Sequence, residues 1–474
     1  MGRTIVTKLK TKPDFIDRKK LEHLGSLNEP DEGRRQEIIS KARELKGLDL
    51  DEAAELLACS SPEAVQDLLS AAAFVKQEIY GPRMVLFAPL YAGNKCCNDC
   101  LYCGFRRSNT ELTRVTLTRE AIAAETLELL RQGHKRLLLL TGEAAEYTMD
   151  YTLMALETMY SVRDRKGSSI RRINVELAPM SVDNFRRLKE GKIGTYTCFQ
   201  ETYDPDLYRQ YHPAGPKADY HWRLEVMDRA MEAGIDDVGL GVLFGLADYR
   251  KEVLSMLMHA AHLEERFGCG PHTVSVPRLE PALGAPVSES VPYPVSDLDF
   301  KKLVAVLRLT LPYTGIILST RESAQLRSEL FRYGVSQVSA GSRTNPGGYG
   351  EEQTREEEFS HSQFSLGDHR SLAEVVDNLA DYGLVPSFCT GCYRMGRTGS
   401  DFMDLAKPGL IRQFCLPNGL ATFAEYLEDY APEELKKKGL TLIERIAADQ
   451  QESIASMIRE NSARVAGGER DIYV

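Results

Sequence analysis

The stretch MVLFAPLYAGNKCCNDCLYCGF, residues 84–105, joins a short apolar run to four cysteines. Seven further apolar runs follow, separated by helix-like segments such as LTREAIAAETLELLRQG (117–133). Near-continuous apolar strands that alternate with helices are typical of a parallel sheet covered on both faces. The eight predicted strands are 84–93, 135–143, 173–179, 194–200, 236–245, 272–281, 315–322 and 335–342.

Eight strand–helix units over about 260 residues favour an α/β fold of the (β/α)8 barrel type, which typically spans ~250 residues. A doubly wound open sheet is the alternative. We predict an N-terminal helical segment at 1–83, the barrel at 84–345 and a mostly helical C-terminal domain at 346–474. The polar, acidic stretch NPGGYGEEQTREEEFSHSQF (345–364) is typical of a linker or surface loop.

Composition narrows the function classes. The chain has 474 residues, 43% of them hydrophobic, and a formal net charge of −10. This balance argues against a general nucleic-acid or anionic-membrane binder. The N-terminal MGRTIVTKLKTKPDF lacks the apolar core of a signal peptide. The sequence contains no run of about 18 apolar residues, so we expect no membrane span. We therefore expect a cytoplasmic protein without disulfides. Seven of its ten cysteines lie in two clusters, which are typical of metal ligands or catalysts, and the other three are expected to be ordinary buried residues.

The first cysteine cluster has the spacing C-x3-C-x2-C if Cys96, Cys100 and Cys103 are ligands and Cys97 is a bystander. It follows the first predicted strand, at the end of a barrel where active sites form. Three thiolates cannot complete a structural zinc site, which needs four ligands. They can hold three irons of a four-iron cluster and leave the fourth iron open. A zinc site that recruits Cys97 or a remote residue is the alternative.

This spacing, with Tyr102 directly before the last cysteine, resembles the radical S-adenosylmethionine (SAM) enzymes. In that superfamily the open iron binds the methionine part of SAM, and an electron from the cluster releases a 5′-deoxyadenosyl radical. The resemblance implies that Tyr102 lies beside the adenine. It also implies that Gly142 and Glu143, at the end of LLLLTGE, contact the methionyl amine.

A second cluster, Cys389, Cys392 and Cys415, lies near the C-terminus. A structural zinc site there would need a further ligand such as His361 or His369. Longer stretches are more specific than the cysteine spacing, and they resemble the HydG family, the tyrosine lyases of [FeFe]-hydrogenase maturation. These stretches are FQETYDPDLYRQYHPAGPKADY (199–220), MDRAMEAGIDDVGLGVLFGL (227–246) and SAGSRTNPGGYG (339–350).

The resemblance implies that L-tyrosine is split at Cα–Cβ into p-cresol and dehydroglycine. It also implies that dehydroglycine becomes carbon monoxide and cyanide on an auxiliary iron–sulfur cluster, building an Fe(CO)2(CN) precursor of the hydrogenase active site. In this family the histidine at the position of His272 binds an extra iron of that cluster, whereas a lone histidine is more often structural. L-cysteine as an iron ligand, a reductant such as ferredoxin or flavodoxin, and other hydrogenase maturases are the implied partners.

Substrate contacts follow from the chemistry of an amino acid. Its carboxylate favours a bidentate cation, and Arg321 at the end of the seventh strand is the candidate. An ion pair with Glu322 is the alternative role for this arginine. Tyr91, where related lyases also have a tyrosine, is predicted to contact the substrate amine, although core packing would equally explain it. Ser339 or Ser342 is expected to assist at the carboxylate.

The position of His272 at the start of the sixth strand predicts that it lies at the barrel mouth opposite the first cluster. Two reactions at two mouths imply a channel between them. The nearest rival function is the tyrosine lyase of thiazole synthesis, which lacks Cys389, Cys392 and Cys415. A non-catalytic iron–sulfur carrier and a zinc-stabilised structural protein are the rivals from other classes.

Overall fold

The computed structural model describes residues 14–350, 360–407 and 411–473. Four helices precede the barrel and pack on its outer helices: Arg18–Gly25, Glu32–Ala42, Leu50–Ala58 and Pro62–Tyr80. The last of them begins with Ser61 as N-cap and Pro62 in the first turn, and ends at Gly81, whose φ is 62°. The predicted N-terminal helical segment is confirmed, except for residues 1–13, which lie outside the described residues.

The barrel consists of eight parallel strands in one closed sheet. Closure follows from the pairing of the first strand with both the second and the eighth. The predicted (β/α)8 barrel is therefore confirmed, and the open-sheet alternative is wrong. The strands are β1 (Arg83–Gly93), β2 (Arg136–Thr141), β3 (Arg172–Glu176), β4 (Tyr196–Thr197), β5 (Val238–Gly241), β6 (Thr273–Ser275), β7 (Gly315–Leu318) and β8 (Gln337–Ser339).

A ninth strand, β9 (Val385–Ser387), was not predicted from the sequence. It pairs in parallel with Arg83–Val85, the first residues of β1. Its three residues include a proline, so they show neither the length nor the alternation of a strand. The pairing matters because it brings the chain that follows, which contains Cys389 and Cys392, to the N-terminal mouth of the barrel.

Helices connect the barrel strands and build the C-terminal region, and one hydrophobic core extends through all three parts of the chain. No helix among the described residues is long and apolar enough to cross a membrane. The longer connecting helices are Arg119–Gln132, Met149–Ser161, Val182–Glu190, Tyr249–Phe267 and Asp297–Thr310. Shorter ones are Pro205–Tyr211, Tyr220–Leu224, Val226–Glu232, Pro286–Glu289 and Ala324–Leu330. The C-terminal helices are Leu372–Asp381, Gly391–Arg394, Gly399–Ala406, Ile411–Asp429, Glu433–Ala448 and Glu452–Ala466.

The segment predicted as a linker or surface loop differs from that expectation where it is described. Gln363 donates its backbone N–H to Thr344 and accepts from Gly104, at 3.0 Å each. Gly367 then donates to Thr320 at 2.9 Å. These partners follow strands β8, β1 and β7, so residues 360–367 cross the C-terminal mouth of the barrel. Residues 351–359 of the predicted loop lie outside the described residues.

Candidate active site

The first cysteine loop lies across the C-terminal mouth, directly after β1. Backbone hydrogen bonds hold it on two sides: Cys97 donates to Glu143 at 2.7 Å, and Asp99 donates to Ala214 at 3.1 Å. Gly215, with φ 95°, leaves room for the loop, because a Cβ there would overlap Asn98. The loop is thus fixed by β2 and by the chain that follows β4.

The structure separates Cys97 from the other three cysteines of the loop. Cys97 is exposed, whereas Cys100 is buried and Cys96 and Cys103 are half-buried. Cys103 packs in two adjoining apolar clusters, one shared with Cys96 and the other with Cys100. Burial, to which the charges of Cys103 and Cys96 add and which Lys217 opposes, raises the pKa of Cys100 to about 12. Three thiols whose ionised forms repel one another in this way suit a common cationic partner, such as the irons of a cluster.

Gly142 and Glu143 lie where predicted, at the end of β2 and against the cysteine loop. A Cβ on Gly142 would overlap the backbone carbonyl of Lys95, so only glycine permits this close approach. The Glu143 carboxylate accepts from the Asn98 side chain at 2.7 Å. The Gly-Glu pair therefore positions the loop, and its predicted contact with SAM remains a prediction.

Tyr102 lines a cavity of about 130 Å³ inside the same mouth. Its hydroxyl lies 2.7 Å from Nε2 of His212, whose Nδ1 lies 2.7 Å from the backbone carbonyl of Tyr208. Since a carbonyl only accepts, Nδ1 carries the proton and Tyr102 donates to Nε2. Burial lowers the pKa of His212 to about 3, so the imidazole is neutral. The pair fixes the Tyr102 ring against the cavity.

The cavity also contains all four predicted substrate residues. Tyr91, Arg321, Ser339 and Ser342 line it together with Cys103. These residues come from β1, from the chain after β7 and from β8 and its exit. The structure therefore brings the predicted substrate contacts and part of the predicted cluster site into one enclosed space.

Arg321 does not pair with Glu322, the alternative that the sequence left open. Glu322 accepts two hydrogen bonds of 3.0 Å from Nε of Arg278 instead. The guanidinium of Arg321 lies over the Phe364 ring, at 3.2 Å from its centroid, and makes no ion pair with the described residues. Burial lowers the pKa of Arg321, while Tyr91 and nearby acids oppose this. A buried cation left without a carboxylate partner suits an anionic ligand.

Tyr91 is tied to a residue that the sequence analysis missed. Its hydroxyl donates to Oε1 of Gln363 at 2.8 Å, and Nε2 of Gln363 lies 3.7 Å from Sγ of Cys103. Gln363 thus links the substrate cavity to the cysteine loop. No local signal marks it, because its position depends on the segment that folds back over the mouth.

The two candidate serines differ in their surroundings. The hydroxyl of Ser339 accepts the backbone N–H of Thr320 at 3.2 Å. The hydroxyl of Ser342 is buried and has no hydrogen-bond partner among the described residues. A buried hydroxyl without a partner is costly, so Ser342 is the better candidate for a ligand contact.

Two further acids that the sequence analysis did not single out line the cavity, Glu176 and Glu201. Glu201 adopts φ 70°, a strained value for a residue with a side chain, and pairs with Lys217 at 2.6 Å. Glu176 ends β3 and has no ion pair among the described residues. Glu201 lies in the quoted stretch 199–220 and Glu176 in the third predicted strand, but nothing in either sequence distinguishes them from other acids.

A second cavity lies at the N-terminal mouth, lined by Cys389, Cys392, Cys415 and His272. The four residues come from β9 and its exit, from the helix Ile411–Asp429 and from the start of β6. The backbone N–H of Gly391 lies 3.3 Å from Sγ of Cys389. A hydrogen bond between the thiols of Cys415 and Cys392 lowers the pKa of Cys392 and, together with burial, raises that of Cys415.

Two buried arginines make this second cavity cationic. Nε of Arg83 and Nε of Arg136 are both buried without a hydrogen-bond partner among the described residues, although Arg136 donates through Nη1 to the carbonyl of Cys389 at 2.8 Å. Burial lowers the pKa of Arg83, but Cys415, Cys389 and Cys392 outweigh it and leave that pKa raised. Three thiols beside two arginines that have no carboxylate partner among the described residues fit an anionic iron–sulfur cluster.

His361 and His369, the zinc ligands considered above, belong to the chain that crosses the opposite mouth and do not line this cavity. Among the described residues, no three His, Cys, Asp or Glu side chains stand close enough to share a single metal ion. The thiolates of a four-iron cluster bind separate irons, so the fit to a cluster depends on the shared cavity instead.

His272 lies between two aromatic residues at the second cavity. Its Nε2 is 2.7 Å from the hydroxyl of Tyr393, and its ring meets Phe402 edge-on. Burial lowers the pKa of His272, although the charge of Asp237 opposes this, and a neutral imidazole is the form that binds metals. Binding through Nε2 requires Tyr393 to turn away, whereas binding through Nδ1 does not.

The two cavities occupy adjacent layers of the barrel interior. We call the cavity at the C-terminal mouth the upper cavity and the one at the N-terminal mouth the lower cavity. On β1, Val85 lines the lower cavity and Phe87 lines the upper one. On β2, Arg136 likewise lines the lower cavity and Leu138 the upper one. Inward-facing residues two positions apart along a strand are separated by about 6.6 Å. On these two strands no further inward-facing position lies between the cavities, and a continuous channel remains a prediction.

Two family models match the chain. The Radical SAM superfamily model matches residues 90–259, from the end of β1 into the helix after β5. The model of the Biotin and Thiamin Synthesis associated domain matches residues 275–385. Together they span most of the barrel and reach β9.

Similar proteins extend the match over the whole chain. A crystal structure of HydG, described as a maturase of the [FeFe]-hydrogenase, is 47% identical and superposes with a TM-score of 0.91, covering 97% of this chain and 100% of that one. HydG from Carboxydothermus hydrogenoformans is 44% identical, with a TM-score of 0.81 and coverage of 94% and 97%. The 2-iminoacetate synthase of Salmonella typhimurium is 34% identical over 75% of this chain and 90% of its own length.

Proposed function

Because the chain belongs to the radical SAM superfamily and, within it, to the HydG family of [FeFe]-hydrogenase maturases, we propose that its two mouths perform two consecutive reactions. Family membership makes it a radical SAM lyase with a four-iron cluster and SAM as cofactors. At the C-terminal mouth it cleaves L-tyrosine at Cα–Cβ to p-cresol and dehydroglycine. At the N-terminal mouth it converts dehydroglycine to carbon monoxide and cyanide.

Residues of the upper cavity would hold the cofactors and the substrate. Cys96, Cys100 and Cys103 would hold the cluster, which supplies the 5′-deoxyadenosyl radical from SAM when both are bound. Tyr102 would lie beside the adenine, and Gly142 with Glu143 near the methionyl amine. The enclosed cavity supports this assignment, because a radical must be formed away from bulk water.

The substrate tyrosine would be held through both its carboxylate and its amine. Arg321 supplies a cation that has no carboxylate partner among the described residues, and Ser342 supplies an unused hydroxyl. Tyr91, oriented by Gln363, would receive the amine. With the amine at Tyr91, the amino nitrogen would lie on the side of Cys103, where the radical would be produced.

The observation on which the proposal chiefly rests is the lower cavity, where Cys389, Cys392, Cys415 and His272 meet beside Arg83. We assign the three cysteines to an auxiliary iron–sulfur cluster and His272 to its extra iron. That iron would leave as an Fe(CO)2(CN) unit with L-cysteine as a further ligand. A reductant such as ferredoxin or flavodoxin and other hydrogenase maturases would be the partners.

The direct test is product analysis of anaerobically reconstituted protein with dithionite, SAM and tyrosine. We expect 5′-deoxyadenosine and p-cresol in nearly equal amounts, together with carbon monoxide. Phenylalanine, whose cleavage at Cα–Cβ would give toluene, serves as the matched control and is expected to give none. Release of 5′-deoxyadenosine without p-cresol in the tyrosine sample would contradict the lyase assignment.

The similarity to 2-iminoacetate synthase favours a second candidate, a tyrosine lyase that stops at dehydroglycine for thiazole synthesis. The same experiment distinguishes the two functions. Dehydroglycine released into water hydrolyses to glyoxylate, so glyoxylate equal to p-cresol with no carbon monoxide would favour the alternative. Carbon monoxide at the expense of glyoxylate supports the two-reaction proposal.

A further inference from the structure

Glu176 is an acid in the substrate cavity that the proposed function leaves without a role. It is the last residue of β3, and its side chain lines the upper cavity. Among the described residues its carboxylate has no hydrogen bond or ion pair. The nearby cation Lys217 is taken by Glu201, at 2.6 Å. A half-buried carboxylate that faces a cavity without a partner is a candidate for a function.

The barrel places Glu176 opposite Arg321. In the closed order of strands, β3 and β7 are separated by three strands in either direction. Arg321 follows β7, so an amino acid whose carboxylate is bound there extends its side chain across the barrel towards β3. The walls between them include Leu138, Leu140 and Phe199, which suit an aromatic ring. A tyrosine in this position directs its hydroxyl at Glu176.

The electrostatic surroundings of Glu176 suit a proton acceptor. Burial raises its pKa to about 7; the charge of Glu201 adds to the increase and Arg321 opposes it. A base is most effective when its pKa lies near the working pH. Besides Glu201 and Arg321, the charged groups that act on it are Lys217 and Arg223.

We propose that Glu176 accepts the phenol proton of the substrate during Cα–Cβ cleavage. The inference rests on the proposed tyrosine lyase activity. Removal of a hydrogen atom from the amine leaves a nitrogen radical. Cleavage of Cα–Cβ then forms the C=N bond of dehydroglycine and leaves one unpaired electron on the benzylic carbon. Transfer of the phenol proton to Glu176 makes this fragment the 4-oxidobenzyl radical without changing the electron count.

Glu176 also completes the proton balance. One electron from the external reductant and one solvent proton convert the benzylic carbon to the methyl group of p-cresolate. Glu176 then returns its proton to the phenolate oxygen, so p-cresol leaves neutral and the carboxylate is restored. The phenolate form stabilises the transition state for cleavage, because the negative oxygen delocalises into the ring that receives the radical.

The test compares Glu176→Gln with wild-type protein on tyrosine and on 3,5-difluorotyrosine, whose more acidic phenol ionises without a protein base. General-base catalysis typically contributes ~100-fold or more. We expect p-cresol formation from tyrosine to fall at least about tenfold, with 5′-deoxyadenosine still formed. We expect difluorocresol formation from the fluorinated substrate to stay within about threefold of wild type. Tyrosine binding to the variant, measured by calorimetry, should change by less than about threefold.

Glu190→Gln, an exposed change on the helix Val182–Glu190, is the matched control and should behave as wild type. An equal loss on both substrates, or no loss on tyrosine, would overturn the role of Glu176. Wild-type protein that makes no p-cresol would overturn the proposed function itself. If the glutamine variant loses iron, Glu176→Asp replaces it: a larger loss on tyrosine than on difluorotyrosine supports the proposal, and equal losses refute it.

Discussion

The two mouths of the barrel use the same number of cysteines in different electrostatic settings. At the upper mouth, Lys217 is neutralised by Glu201 at 2.6 Å, and Arg321, which has no ion pair among the described residues, shares the cavity with a further acid, Glu176. At the lower mouth, Arg83 and Arg136 are buried beside the thiols with unpaired Nε groups. The upper setting suits a cationic sulfonium cofactor near the cluster, and the lower one suits anionic products such as cyanide.

The largest expected effect tests which thiols define the upper mouth. We predict that Cys103→Ala abolishes tyrosine-dependent 5′-deoxyadenosine, because the cluster loses one of three ligands. The matched change Cys97→Ser alters an exposed thiol and should leave the rate within about twofold. Chromatographic analysis and iron counts check both. Loss of iron in Cys97→Ser would contradict the division of the four cysteines.

The second largest effect is expected from replacing Arg321, the cation of the upper cavity that has no ion pair among the described residues. Arg321→Met should lower kcat/KM for tyrosine by about thirtyfold or more, since truncating one partner of a buried charge pair costs about 2–5 kcal/mol. Arg321→Lys keeps the charge but not the bidentate geometry, so a smaller loss is expected. Steady-state kinetics provides the measurement. An unchanged KM in Arg321→Met would show that the substrate carboxylate binds elsewhere.

A third change tests the support of the cysteine loop. In Gly142→Ala the added methyl group would overlap the Lys95 carbonyl, so the loop must shift. We expect a loss of about 1–3 kcal/mol in the free energy of unfolding and reduced iron at the upper mouth only. Thermal denaturation and iron counts test this. Gly270→Ala, where the nearest atom would be 3.7 Å away, should be nearly neutral; full iron in Gly142→Ala would refute the steric argument.

The contrast between the mouths also shows what the sequence could predict. The barrel follows from the eight apolar runs between residues 84 and 342, and the upper cysteines follow from their spacing within residues 96–103. The lower mouth depends on β9, a three-residue strand whose pairing with β1 no local pattern reveals. Gln363 and Glu176 could not be predicted from local sequence either. Gln363 reaches the site because its segment folds back over the mouth, and Glu176 because β3 lies opposite β7 in the barrel.

The smallest expected effect separates the two serines. Ser342→Ala removes a hydroxyl that has no partner among the described residues, and loss of one hydrogen bond to a charged group costs about 1.5 kcal/mol or more, a rise in KM of roughly tenfold. Ser339→Ala removes the acceptor for Thr320 and should lower thermal stability more than it changes KM. The reverse pattern would assign the substrate contact to Ser339.

The central claim is that one mouth cleaves tyrosine and the other makes the diatomic ligands. The most direct test is product analysis of a Cys389→Ala/Cys392→Ala double variant supplied with tyrosine, SAM and dithionite. We predict that p-cresol persists near the wild-type level while iron-bound carbon monoxide, followed by infrared spectroscopy, disappears. Unchanged carbonyl formation in the double variant would contradict the assignment of the second reaction to the N-terminal mouth.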